Sequence, residues 1–117
     1  MYNILVCDDD RDIVEAIEIY LSKEGYNVIK AYDGLEAIEI LKKEDVQLLL
    51  IDIMMPKLDG LRATLKIREN SGIPIIILSA KSEDSDKIIG LDVGADDYIT
   101  KPFNPLELTA RVKSQLR

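Results

Sequence analysis

Six side chains able to do ionic or phosphoryl chemistry stand at the ends of apolar runs in this chain. Asp8, Asp9 and Asp10 follow Ile4-Leu5-Val6-Cys7, Asp52 follows Leu48-Leu49-Leu50-Ile51, Ser79 follows Ile75-Ile76-Ile77-Leu78, and Lys101 follows Asp97-Tyr98-Ile99-Thr100. Two carboxylates about 4 Å apart at an effective dielectric near 20 repel by roughly 4 kcal/mol, so an acidic cluster without a counter-ion is strained. A divalent cation relieves that strain. The chain has no histidine and its one cysteine lies inside an apolar run, so the donors are oxygens and the ion a hard one. Mg²⁺ suits a site of few carboxylates that also keeps waters and a phosphate oxygen.

A carboxylate is also a nucleophile that needs no general base, because it is already ionised at neutral pH. With a cation bridging Asp52 to a phosphoryl group, Lys101 adds a second positive charge and the Ser79 hydroxyl can donate to a phosphoryl oxygen. Asp9, Asp52, Ser79 and Lys101 would be a complete set for that reaction. Plainer readings exist for each: Asp8 to Asp10 could cap a first helix, Ser79 could open a turn, and Lys101 could be surface charge. Asp52 resists such a reading because it continues a buried run. The joint placement is the argument for chemistry.

For these groups to meet, the apolar runs must lie side by side. Ile4 to Cys7, Val28 to Ala31, Leu48 to Ile51 and Ile75 to Leu78 read as strands, with a weaker one over Asp97 to Thr100. Helical stretches separate them. Gly25 can serve as the C′ glycine of a helix from about Asp12 to Glu24, and Asp33-Gly34-Leu35-Glu36 has capping-box spacing. Asn104-Pro105-Leu106-Glu107 repeats that spacing with proline at its favoured first position.

Alternating strands and helices predict an α/β fold with a parallel sheet covered on both faces. The runs at Ile4, Leu48 and Ile75 are uninterrupted, as strands buried on both faces should be, whereas the second and fifth include or adjoin Lys30, Asp97 and Thr100. Those two are expected at the edges. A flavodoxin-like (βα)5 doubly wound five-stranded sheet of order 2-1-3-4-5 follows, whose ligands sit beyond the strand C-termini where strands 1 and 3 diverge.

The 117 residues suit one compact domain spanning 1–117, without disulfides or a structural metal. Cys7 has no partner within the chain, which fits a reducing compartment, and is expected to pack as a small hydrophobe. With no basic leader and no apolar segment near 18 residues, the chain reads as soluble and cytoplasmic. A formal charge of −7 repels polyanions, making the domain itself a poor binder of nucleic acid or of an anionic membrane.

At these residues the sequence closely resembles the receiver domains of two-component response regulators. ILVCDDD, DIMMPKLDG, IIILSAK and GADDYITKPF match that family's signatures in order and spacing, and the likeness covers the whole chain. The resemblance implies that Asp52 is the phosphoacceptor for a sensor histidine kinase. Asp9 and Asp52 would bind Mg²⁺ directly, Asp8 would help through water, and the backbone carbonyl of Met54 would complete the protein ligands. Ser79 and Ala80 take the phosphate-binding switch positions, Tyr98 that of the rotating aromatic, and Lys101 that of the phosphate-contacting lysine. A cis peptide is expected before Pro102, at a cost for an X-Pro bond of only about 0.5–1 kcal/mol. Phosphorylation would draw Ser79 toward the phosphate and let Tyr98 turn inward.

The stretch from Asp84 to Gly94, followed by ADDYITKPFNPLELTARVK, is similar to receivers of winged-helix transcription factors of the OmpR/PhoB type. That likeness implies a homodimer on activation, with DNA bound only through an output domain and no membrane partner. Its salt-bridge pairs would be Lys87 with Glu107, Asp92 with Lys113, and Asp97 (with Asp96 adjacent) with Arg111. A helical wheel agrees: at about 100° per residue Ile89 and Val93 share one face of the fourth helix, while Ile88 and Leu91 share a nearly opposite one. Only one stripe is needed for the core, so the second, rimmed by Lys87 and Asp92, reads as an interface patch. The alternative is tolerated surface apolarity.

Two other functions are less well served. A haloacid-dehalogenase-type phosphatase needs an acid two residues after its aspartyl nucleophile, where this chain has Met54. An FMN carrier wants a hydroxyl-rich loop after strand 1, where Asp8-Asp9-Asp10 would repel the phosphate. A stand-alone receiver acting by protein contact and a receiver followed by an output domain both fit the sequence.

Overall fold

The computed structural model describes every residue except Ser82. Strands and helices alternate as β1 (Asn3–Cys7), α1 (Arg11–Lys23), β2 (Asn27–Ala31), α2 (Gly34–Lys43), β3 (Leu48–Ile51), α3 (Gly60–Arg68), β4 (Ile75–Ser79), α4 (Asp84–Asp92), β5 (Asp97–Thr100) and α5 (Pro105–Gln115). All strand pairs are parallel and the order is β2-β1-β3-β4-β5. The more polar strands are thus the edges, as expected. Cys7 pairs with both Ala31 and Ile51, Ile51 with Ile77, and Ser79 with Thr100. This register brings the residues after each strand to one edge of the sheet.

Side chains alternate across the sheet with period two. Leu5, Cys7, Leu49, Ile51, Ile75 and Ile77 face Ala37 of α2 and Ala63 and Ile67 of α3. Ile4, Val6, Leu48, Leu50, Ile76 and Leu78 face Val14, Ile17 and Leu21 of α1 and Leu108 and Val112 of α5. Ile17 and Leu50 are essentially inaccessible to solvent. Truncating either to alanine costs about 2–5 kcal/mol in lost burial and cavity formation.

Helix ends fall where side chains satisfy free backbone N–H groups. Asp10 accepts from the N–H groups of Asp12 and Ile13, Asp33 from that of Glu36, Asp59 from that of Arg62 and Asn104 from that of Leu106. Gly25, at φ +87°, ends α1.

Helix α4 departs from the wheel. Ile89 was expected against the core, yet Ile88, Ile89 and Leu91 are 57, 49 and 45% exposed, Val93 is half-buried, and the buried position is Gly90. The helix approaches the sheet where the Tyr98 ring and Ile77 already fill the space, so it makes contact through its backbone at a glycine.

Candidate functional site

The β3–β1 and β1–β2 ladders each continue one residue past a strand end. The Asp52 N–H donates to the Cys7 carbonyl at 3.0 Å, and the Asp8 N–H to the Ala31 carbonyl at 3.1 Å. Both side chains are thereby fixed at the sheet edge, Asp8 at 2% and Asp52 at 6% exposure, while Asp9 is open to solvent. Oxygens of Asp8, Asp9 and Asp52 all lie within 4.8 Å of one another. Asp10 turns away as the α1 cap, so the capping reading applies to Asp10, and the cluster is formed by Asp8 and Asp9 with Asp52.

Lys101 Nζ lies 2.7 Å from Asp8 Oδ2 and 3.7 Å from Asp52 Oδ2. Burial, then the Asp8 charge, pushes the Asp52 carboxyl from 3.8 up to about 6, against the opposing pull of Lys101 and the Met54 N–H. One lysine does not neutralise the cluster. Three carboxylates without nitrogen or sulfur donors fit a small hard cation, and the exposed Asp9 leaves an approach open. The Met54 side chain is exposed, directly beside the cluster in sequence.

Ser79 is fully buried and its Oγ accepts from the Lys81 N–H at 3.2 Å, across the exposed Ala80. The Tyr98 ring is 8% exposed, and its hydroxyl donates to the Lys81 carbonyl at 2.7 Å. Burial raises the phenol pKa, with the Ser79 hydroxyl opposing. The Lys101–Pro102 peptide is cis, as the resemblance implied.

Gly60 was not singled out by residue type, yet it underlies the site. It opens α3 against the chain that carries Asp52: its N–H donates to the Ile53 carbonyl at 2.9 Å. A Cβ there would lie 2.8 Å from the Asp52 carbonyl carbon and 2.9 Å from Ile53 Cα, so only glycine fits without displacing the Asp52 carbonyl. The available signal was the glycine after Asp59 in DIMMPKLDG. Lys57, at φ +67°, likewise escaped notice; its ammonium lies 3.5 Å from Asp33 Oδ2.

The proposed interface charges divide. Asp97 and Arg111 pair within the chain at 2.8 Å, with Glu107 3.9 Å from Arg111. Lys113 pairs at 2.6 Å with Glu24 at the end of α1, and Asp96 with Arg68 at 2.8 Å. Arg68 also donates to the carbonyls of Gly94, Ser71 and Ile73, while Asp96 Oδ2 accepts the Ile75 N–H. Lys87 and Asp92 form no ion pair among the described residues. A depression of about 560 Å³ between the C-terminal ends of α2 and α3 lies at the opposite end of the sheet from the carboxylates.

Comparison with known proteins decides the family. Residues 4–113 match the response regulator receiver domain. The chain belongs to the response regulator receiver domain family. It is 50% identical over 114 residues to response regulator GtcR of Aneurinibacillus migulanus, covering 97% of this chain and 47% of that protein. It is 51% identical over 114 residues to regulatory protein VanR of Enterococcus faecium, covering 97% and 49%. This receiver therefore spans about half the length of the curated relatives it matches. Among solved structures, the Francisella response regulator 1452 receiver domain superposes with a TM-score of 0.95 at 38% identity, covering 99% of this chain and 97% of that one. The BeF3-activated N-terminal receiver domain of Klebsiella pneumoniae RstA gives 0.95 at 34% identity, covering 98% of each. Receiver domains are, as a family, regulatory phosphoacceptor domains, and no described helix of this chain is long and apolar enough to cross a membrane.

Proposed function

We propose that this receiver is a phosphorylation-operated switch in which Asp52 accepts a phosphoryl group from a sensor histidine kinase. The observation that carries the reading is the buried Asp52 carboxylate facing Asp8 and Asp9 within 4.8 Å, with the Lys101 ammonium beside it. Asp8, Asp9 and Asp52, with the Met54 carbonyl, would hold Mg²⁺, which supplies positive charge to the phosphoryl oxygens when bound. An Asp52 oxygen forms the new bond to phosphorus as the donor's bond to phosphorus breaks, and the leaving group departs with its electron pair. Lys101 and the Ser79 hydroxyl then contact phosphoryl oxygens. Tyr98 and Ala80 pass the change to α4 and β5.

In a longer protein of the relatives' kind, we read the output as dimerisation and DNA binding by a cytoplasmic transcription regulator of the OmpR/PhoB type. The exposed Ile88 and Leu91 beside Lys87 and Asp92 support an interface there, with Asp97, Arg111 and Glu107 on the adjoining β5–α5 surface. The acceptor assignment is tested with Mg²⁺ and acetyl phosphate: one phosphoryl group per chain is expected by mass, and none on Asp52→Asn. Undiminished labelling of that variant would sink it.

A further inference from the structure

Gly90 is the buried position of α4, surrounded in sequence by three exposed apolar side chains. Glycine inside a helix is disfavoured relative to alanine, so its presence there calls for a packing reason. The structure supplies one. A Cβ on Gly90 would lie 2.9 Å from Tyr98 Cδ2, 3.0 Å from Tyr98 Cε2 and 3.0 Å from Ile77 Cδ1. The Ile77 contact is a terminal methyl that can turn aside, whereas the Tyr98 ring is tied at both ends. Its backbone is paired with Ile77 in the sheet, and its hydroxyl is bonded to the Lys81 carbonyl.

We infer that Gly90 is a positioning residue for Tyr98: the space left by its missing side chain is the slot that holds the ring inward, so the size of residue 90 sets the balance between inward and outward rotamers. A methyl group in the slot drives the ring to rotate about χ1 toward solvent, which also breaks its bond to the Lys81 carbonyl. Lys81 donates its N–H to Ser79 Oγ, so the slot, the ring and the hydroxyl of the switch position form one connected unit. The steric claim stands on geometry alone; its consequence for signalling rests on the phosphoacceptor reading proposed above.

A double-mutant cycle separates steric conflict from helix propensity. In a Tyr98→Ala background, Gly90→Ala should raise the folding equilibrium constant about three- to fivefold, since alanine is the better helix former and nothing fills the slot. With Tyr98 present the gain should vanish or reverse, and nuclear Overhauser contacts between the Tyr98 ring and the Ile77 δ-methyl should be lost. The same effect of Gly90→Ala in both backgrounds, with those contacts retained, overturns the inference. Should Gly90→Ala alone not fold, recovery of folding in the double variant supports the slot, and failure to recover, where Tyr98→Ala itself folds, overturns it. The signalling readout is beryllofluoride with Mg²⁺, whose apparent affinity should weaken on the order of fivefold or more in Gly90→Ala; unchanged affinity means the slot does not govern the switch. Absence of beryllofluoride binding to the unmodified chain would instead strike the phosphoacceptor reading, leaving the cycle to decide the slot.

Discussion

Lys101 stands a full ångström closer to Asp8 than to Asp52, at 2.7 Å against 3.7 Å. Its charge therefore serves first to hold a buried carboxylate, and a phosphoryl group arriving on Asp52 would have to compete with Asp8 for it.

Replacing Lys101 by methionine should then act in two directions. Acetyl phosphate labelling should slow by about 10²- to 10³-fold, the usual loss when a positioned donor is removed from a developing charge. Mg²⁺ affinity measured by calorimetry should rise, because the competing cation is gone and Asp8 is left unpaired. A normal labelling rate would confine Lys101 to a structural role.

Metal-free stability should depend on the Asp52 proton. The folded state holds it up to a pH of about 6, whereas the unfolded chain releases it near 3.8. In that window the folded state binds more protons, so stability is greatest below it and falls as pH rises through it. The loss is about 1.4 kcal/mol per unit of displacement, or roughly 3 kcal/mol at most. Urea denaturation in EDTA should show this fall, and Asp52→Asn should flatten it. Mg²⁺ at ten times its Kd should restore roughly 1.4 kcal/mol at neutral pH; identical midpoints with Mg²⁺ and EDTA at matched ionic strength would argue against the cation site.

Activated association should depend more on Ile88 than on any one charge. Exposed ion pairs contribute only about 0–1 kcal/mol each, and Arg111 would have to share Asp97 between its own chain and a partner. In a two-fold interface each substitution acts twice. Sedimentation of the beryllofluoride-treated domain should show a dimer weakened by Arg111→Glu and weakened further by Ile88→Asp, with labelling of Asp52 intact. A monomer at high micromolar concentration, or a dimer indifferent to both changes, would favour a stand-alone receiver.

The sheet was legible because β1, β3 and β4 are buried on both faces and therefore appear as unbroken apolar runs. The site was legible for a related reason: Asp8, Asp52 and Lys101 each follow a strand and Ser79 ends one, and a parallel sheet collects such residues at one edge. Helix α4 was misread because a wheel weighs side chains, and this helix docks through the absence of one. The partners of Asp96 and Lys113 were equally hidden. They lie on α3 and α1, and only the packed chain brings Arg68 and Glu24 within reach.

The Arg68 guanidinium binds the Gly94 carbonyl and Asp96, and Asp96 holds the Ile75 N–H, so the corner between α4 and β5 is bolted to the foot of the sheet. At its other end the N-cap residue of α4, Glu83, makes no side-chain cap bond among the described residues. A helix bolted at its C-terminal corner, and tied at its N-terminus through Lys81 to the switch residues Ser79 and Tyr98, would pivot about that corner rather than slide. Any displacement imposed at the carboxylate edge would then be magnified toward Asp84 and vanish near Gly94, and the surface around Ile88 would tilt by an intermediate amount.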